Sequence, residues 1–391
     1  MLLLLVAGLA ASITLSQTML GVLAAWLVWE RLHGRLRTSW PLAAPLLAFA
    51  AWTVIAATLS RAPWDSFVNT RPLLMLTTLW IVLHTVEDAA RARAFAIALF
   101  VALTMIAALA VIQVATCTGE RLDAKAAGLP PVLTSFFGKC RRAHAFFSIY
   151  MTLGGVLAIG LALTLPWLSQ LRRRAVAVAA WLLGALGLAL TFVRGAWVGL
   201  AVGLALLAGT VRRQVLLFAG VLLLAALVLA VPGVFHRLLT IADPNDPSVR
   251  ERLAMWSAGM TLVREHPVAG VGPGQVKRLY GDYAPSFAVR RHTSHLHNTP
   301  LQIAVERGLV GLGLWLWIFA AFFVRTVRIW RGLPAGAVAE RGLVAGCMAA
   351  VATFLVAGLF EYNFGDTEVL LVALSVMALP FVIERDRAAA P

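Results

Sequence analysis

The side chains best suited to chemistry fall between about His236 and Pro300, and they end in Ser294-His295-Leu296-His297-Asn298-Thr299-Pro300. A neutral imidazole held by a neighbour is a good general base near pH 7. Two histidines at i and i+2 can also ligate a metal on an extended segment. No Asp, Glu or Cys lies close in sequence to complete such a site, so a metal is not expected. Asn298 is placed to cap a helix that begins at Pro300, because Pro is favoured in a helix's first turn. A capped loop carrying an incidental histidine remains the alternative reading of this segment.

Two further clusters carry arginine. In Ser248-Val249-Arg250-Glu251-Arg252 the spacing predicts a capping box, with Ser248 as N-cap and Glu251 at N3 of an amphipathic helix that runs to about Glu265. Arg250 and Arg252 then fall on its first turn, near the helix's positive end, an awkward place for cations unless an anion joins them. The string His266-Pro267-Val268-Ala269-Gly270-Val271-Gly272-Pro273-Gly274 cannot stay helical and makes a turn. It lacks the Gly-Lys-Ser/Thr ending of a Walker loop. The third cluster is Phe192-Val193-Arg194-Gly195-Ala196-Trp197, where one arginine stands between two apolar runs with glycine beside it. Snorkelling to the interface and a functional role are both open for Arg194.

The elements that must position these groups are membrane helices. Of 391 residues 61 % are apolar and 13 % charged, against roughly half and a quarter in soluble domains. Aliphatic runs of about 20 residues recur, the length that crosses about 30 Å of hydrocarbon. The expected fold class is an all-α polytopic integral membrane protein. Spans are expected near 2–15, 18–30, 42–60, 73–87, 94–116, 144–168, 174–192, 195–210, 215–235, 300–324, 342–360 and 367–383. The total is twelve, or eleven if the charge-free stretch 1–29 is a single helix. That stretch has no basic n-region and no convincing cleavage site, so no cleavable signal peptide is expected.

The organisation that follows has helices 1–9 in 1–235, a large outer loop with short amphipathic helices in 236–299, and helices 10–12 with a short tail in 300–391. Every short loop on one side is basic, while Glu361-Tyr362-Asn363-Phe364-Gly365-Asp366-Thr367-Glu368 on the other has three acids and no Lys or Arg. The basic side is therefore cytoplasmic. The net charge of +15 would suggest nucleic acid in a soluble protein; here it suits loops facing anionic headgroups, and no nucleic-acid partner is expected. The outer loops 117–143 and 236–299 hold most of the remaining cations. Arg237, Arg250, Arg252, Arg264, Lys277, Arg278, Arg290 and Arg291 lie in the second, where the orientation rule does not require them, and an anionic substrate at the outer face explains them. Cys117 and Cys140 bracket the first outer loop, and a disulfide between them and two separate buried thiols are equally open.

Taken in order, Phe192 to Trp197, Arg252-x-x-x-Trp256, His266 to Gly274, and His295-x-His297-Asn298-x-x-Leu301-Gln302-x-x-x-Glu306-x-Gly308-Leu309-x-Gly311 resemble the bacterial O-antigen ligase/polymerase superfamily, which also includes protein O-oligosaccharyltransferases. The likeness covers about 190 to 312. It implies a glycosyltransferase-C-like enzyme of the inner membrane with about twelve helices and a large periplasmic loop. Such an enzyme transfers glycan from undecaprenyl pyrophosphate without metal, nucleotide sugar or other cofactor. Arg194 and Arg252 match the arginines thought to hold the pyrophosphate, and His297 matches the proposed base. Arg250, His295, Asn298 and Arg291 are secondary candidates. The expected reaction is transfer of O-antigen to lipid A–core, with polymerase or protein glycosylation as alternatives inside the superfamily. The short chain, ending just past the last span, favours ligase over protein glycosylation. A transporter or flippase for a lipid-linked anion is the alternative from another class. It would place charges inside the bundle and an internal repeat in the sequence, and neither is evident.

Overall fold

The structure, a computed structural model, describes residues 2–36, 38–116, 136, 142–208 and 246–389. The expected span near 215–235, the Cys117–Cys140 pair, most of the loop 117–143, Arg237 and the first part of the large outer loop lie outside these residues.

Among the described residues there is no strand. The helices are α1 (Leu2–Ala11), α2 (Ile13–Leu32), α3 (Ala43–Thr58), α4 (Pro63–Val68), α5 (Thr77–Thr85), α6 (Ala89–Ala115), α7 (Tyr150–Thr164), α8 (Arg174–Leu190), α9 (Arg194–Ala208), α10 (Pro247–Glu265), α11 (Val276–Tyr283), α12 (Thr299–Gly332), α13 (Val338–Ala357) and α14 (Thr367–Ala389). Among the described residues seven segments are long and apolar enough to cross a membrane, and α3, α8 and α9 are shorter apolar helices. The chain is thus an α-helical polytopic membrane protein, its lipid-soluble runs satisfying their own backbone hydrogen bonds.

Several boundaries differ from expectation for identifiable reasons. The N-terminal run breaks at Ser12, not at Ser16-Gln17-Thr18. The Ser12 hydroxyl accepts the Leu15 N–H and caps α2, and α1 and α2 pack so closely that a Cβ at Gly8 would meet the Ser16 nitrogen at 2.7 Å. The span expected from 144 starts only at Tyr150, because the buried Gln113 side chain accepts the His144 and Ala145 N–H groups and holds that stretch as a loop.

Two features bear on the site. The first is the seam between α9 and α13, which pack together along Gly199 and Gly203. A Cβ at Gly199 would lie 2.7 Å from the Thr353 carbonyl oxygen, and one at Gly203 would lie 2.1 Å from the Thr353 hydroxyl. Small residues at this spacing let backbones touch, and packing rather than hydrophobicity joins helices in lipid.

The second is a break in α12. Its 34 residues would extend about 50 Å, well beyond the hydrocarbon thickness. At Gly308 (φ 68°, ψ −177°) the helix is interrupted, in a conformation open only to glycine. The interruption frees the Val305 and Glu306 carbonyls, which accept the N–H groups of Val271 and Gly272 at 2.8 and 3.0 Å, while Leu309 N–H donates to Pro267 O at 2.7 Å. The Gly/Pro string is thereby a structural clasp that fastens the segment carrying α10 and α11 to the start of α12.

Candidate functional site

Arg194 is the first residue of α9. The turn before it is made by Phe192 in a left-handed conformation (φ 56°), with the Thr191 hydroxyl accepting the Val193 N–H. The guanidinium does not reach outward to the interface. Arg194 is only 9 % exposed, and its Nη2 donates to Asp246 Oδ2 at 3.0 Å. Snorkelling therefore does not describe Arg194.

Asp246 also corrects the capping expectation. The N-cap of α10 is Asp246, with Pro247 at N1, and its Oδ1 accepts the N–H groups of Ser248 and Val249. Proline's fixed φ suits N1 and removes a donor that would go unused there. Ser248 lies inside the helix, and Glu251 instead accepts the Val289 N–H at 3.1 Å. Burial works to raise the Asp246 carboxyl, but the Arg194 hydrogen bond and charge, with the two helix-start N–H groups, bring it below its ordinary value.

With the helix beginning earlier, Arg250 and Arg252 lie on its second turn and, two residues apart, on opposite faces. Arg250 turns to the Phe287 carbonyl at 3.2 Å. Arg252 turns inward, where its Nη2 donates to Glu361 Oε1.

Glu361 joins the pieces. Its second oxygen accepts from His297 Nδ1 at 2.7 Å, and its backbone carbonyl accepts the Thr299 hydroxyl at 2.9 Å. An ionised carboxylate only accepts hydrogen bonds. The His297 proton is thereby fixed on Nδ1, leaving the ring lone pair on Nε2, which has no hydrogen-bond partner among the described residues. His297 itself is left-handed (φ 48°), a conformation that costs a β-carbon residue about 1–2 kcal/mol. Its neighbours hold it there. Asn298 caps α12 by accepting the Leu301 N–H at 2.9 Å and donates to the Leu359 carbonyl at 3.0 Å. Leu296 O accepts from Trp256 Nε1 at 3.1 Å.

His295 stacks edge-on against His297, ring centroids 4.2 Å apart. Burial, and then the facing His297, lower its pKa to about 4, so it stays neutral at pH 7. Arg291 is exposed and donates to the Ala284 carbonyl at 3.3 Å. Of the expected residues, His297 and Arg252 thus meet on Glu361, with His295 packed on the His297 ring and Asn298 bonded nearby to the Leu359 carbonyl. Arg194 stands on Asp246 at the start of the helix that carries Arg252, and Arg250 and Arg291 are tied to the 284–287 stretch.

A cleft of about 290 Å³ opens on Glu361 and His295, bounded also by Ser148, Thr152, Asp366 and Glu368. A second hollow of about 210 Å³ lies on the far side of Tyr362, over Gln302, Glu306 and Arg307. Burial and the neighbouring Glu306 carboxylate push the Tyr362 phenol well above its ordinary value.

Sequence reasoning missed Glu361 and Asp246 as site residues. Glu361 was read only as a marker of an outer loop, 64 residues beyond His297. No local signal marks it beyond its place among the three acids of residues 361–368.

Residues 178–316 match the family model described as O-antigen ligase. This stretch contains Arg194, Arg252, His295 and His297 and stops before Glu361, and it bears out the superfamily resemblance read from the motifs. No curated protein matches the chain.

Proposed function

We propose, with the O-antigen ligase match as premise, that this chain is an O-antigen ligase. It moves O-antigen polysaccharide from undecaprenyl pyrophosphate to a sugar hydroxyl of lipid A–core, at the periplasmic face of the bacterial inner membrane, within a bundle of about twelve spans. The observation that carries this reading is the Arg252–Glu361–His297 constellation, which ties a guanidinium and an oriented imidazole to one carboxylate.

His297 Nε2 takes the proton of the acceptor hydroxyl as its oxygen bonds to the anomeric carbon. The bond from that carbon to the pyrophosphate oxygen breaks with its electron pair, and direct displacement inverts the centre. Negative charge grows on the departing pyrophosphate. Arg194 at the start of α9 and Arg252 on the second turn of α10 meet that charge with planar donors. Asp246 and Glu361 balance the two guanidiniums before the anion arrives. The cleft beside Glu361 presents hydroxyl, amide, imidazole and carboxylate groups beside Ile149 and Met151, with no Arg or Lys among its described residues, a lining for sugar hydroxyls rather than phosphate. Membrane lipid surrounds the donor's polyprenyl tail.

The test is the lipopolysaccharide of a deletion strain together with its lipid-linked precursors. Loss of ligase leaves core without O-antigen while lipid-linked polymer accumulates, and His297→Ala fails to restore the ladder although it inserts normally. Core bearing a single repeat would mark a polymerase, precursor stranded on the inner leaflet would mark a flippase, and either would overturn the assignment. So would a purified His297→Ala enzyme that still transfers at the wild-type rate.

A further inference from the structure

The backbone leading into His297 has to be held for its left-handed conformation to persist, and one of the holders reaches back into a buried charged chain. Leu296 N–H donates to Gln302 Oε1 at 2.9 Å. Gln302, 1 % exposed, donates from Nε2 to Glu306 Oε1 at 2.8 Å. Glu306 also accepts the Gly274 N–H at 2.9 Å and Arg307 Nη1 at 2.8 Å. Arg307 Nε in turn donates to the Thr53 hydroxyl of α3 at 3.2 Å. Glu306 and Arg307 are 4 % and 6 % exposed. A buried pair of this kind seldom adds net stability over an apolar packing, which leaves orientation of neighbours as its use.

An amide oxygen and nitrogen are almost the same shape, and only the network decides which way a glutamine points. A carboxylate at 306 accepts but never donates. It therefore turns the Gln302 nitrogen toward itself and presents the Gln302 oxygen to Leu296 N–H, the amide one residue before the imidazole.

Resting on the reading of His297 as the base, we infer that Gln302 and Glu306 are positioning residues for the transfer reaction. Their hydrogen-bond chain sets the backbone that aims His297 between Glu361 and the acceptor hydroxyl. They touch neither pyrophosphate nor sugar, so their loss lowers kcat and leaves donor KM unchanged.

The experiment uses purified full-length chain in detergent, an undecaprenyl-pyrophosphate-linked glycan and lipid A–core, with kcat, donor KM and melting temperature measured for each variant. Gln302→Ala and Glu306→Gln are expected to lose at least tenfold in kcat with donor KM within twofold of wild type. Gln302→Glu puts two carboxylates face to face at pH 8, and its activity relative to wild type rises as the pH falls and one of them is protonated. The exchanged double variant Gln302→Glu/Glu306→Gln again has one carboxylate and one amide and recovers most of kcat, which a merely structural role would not produce. Unchanged kcat in Gln302→Ala overturns the inference, as does a double variant no better than the singles. Loss of kcat only in proportion to a fall in folded protein overturns it too. His297→Ala, run alongside, separates the two failures. If it is dead while Gln302→Ala is normal, only this inference falls; if it transfers normally, the reading of the base falls.

Discussion

Replacing Glu361 by glutamine exchanges one heavy atom and disturbs both residues that meet there. The Glu361 carboxylate accepts from His297 Nδ1 on one oxygen and from Arg252 on the other, and its side chain is 7 % exposed. A glutamine has one accepting oxygen for two donors. If the oxygen keeps Arg252, the amide N–H groups face His297 Nδ1, which must give up its proton and carry it on Nε2. That tautomer cannot act as a base at the reacting end of the ring. A hydrogen bond to a charged group is worth about 1.5–3 kcal/mol, and each 1.36 kcal/mol of barrier is about tenfold in rate. Losing the orienting bond should thus slow transfer by about 10- to 150-fold. Arg252 keeps a partner or is released toward the pyrophosphate, so donor KM should not rise. The assay is steady-state transfer with purified protein in detergent, with melting temperature as the control on folding. A Glu361→Gln enzyme within threefold of wild-type kcat would refute the reasoning, as would a rise in donor KM at constant kcat.

Arg194→Ala and Arg252→Ala should each abolish transfer while the protein still inserts, whereas Arg250→Ala, His295→Ala and Arg291→Ala should each retain most activity; complementation of the deletion strain checks this. His295 is held neutral in the folded protein, with its pKa lowered to about 4. Between its ordinary value and about 4 the unfolded chain binds the extra proton. Stability should therefore fall as the pH drops through that window, and melting curves of His295→Gln should show a smaller fall. Gly308→Ala forces a Cβ to 1.8 Å from the Val268 carbonyl oxygen in a glycine-only conformation, costing on the order of 3 kcal/mol. Yield of folded protein and melting temperature should both drop.

The helical bundle was legible because lipid imposes long apolar runs, and most span limits stand within a few residues of the observed helices. Local chemistry that acts over three or four residues was also legible, as with Asn298 capping α12 and the glycines at 270–274 forming a turn. Contacts between segments far apart in sequence were not. Ser248 looked like the cap because its spacing to Glu251 fits a local rule. The fold instead uses Asp246, which serves the helix start and Arg194 together. Glu361 gave no periodic or motif signal, since its value comes from the pairing of two loops far apart in sequence. The Gln302–Glu306 chain is helix-spaced, but its connection to Leu296 depends on how the preceding loop returns over α12.

The glycine seam between α9 and α13 also restricts traffic. Where carbonyl oxygens and Cα atoms sit at contact distance, no isoprenoid chain can thread between the two helices. Arg194 heads one of them, and the other leads at its far end to Glu361. The lipid-borne donor proposed for this chain would therefore have to enter from a different flank of the bundle.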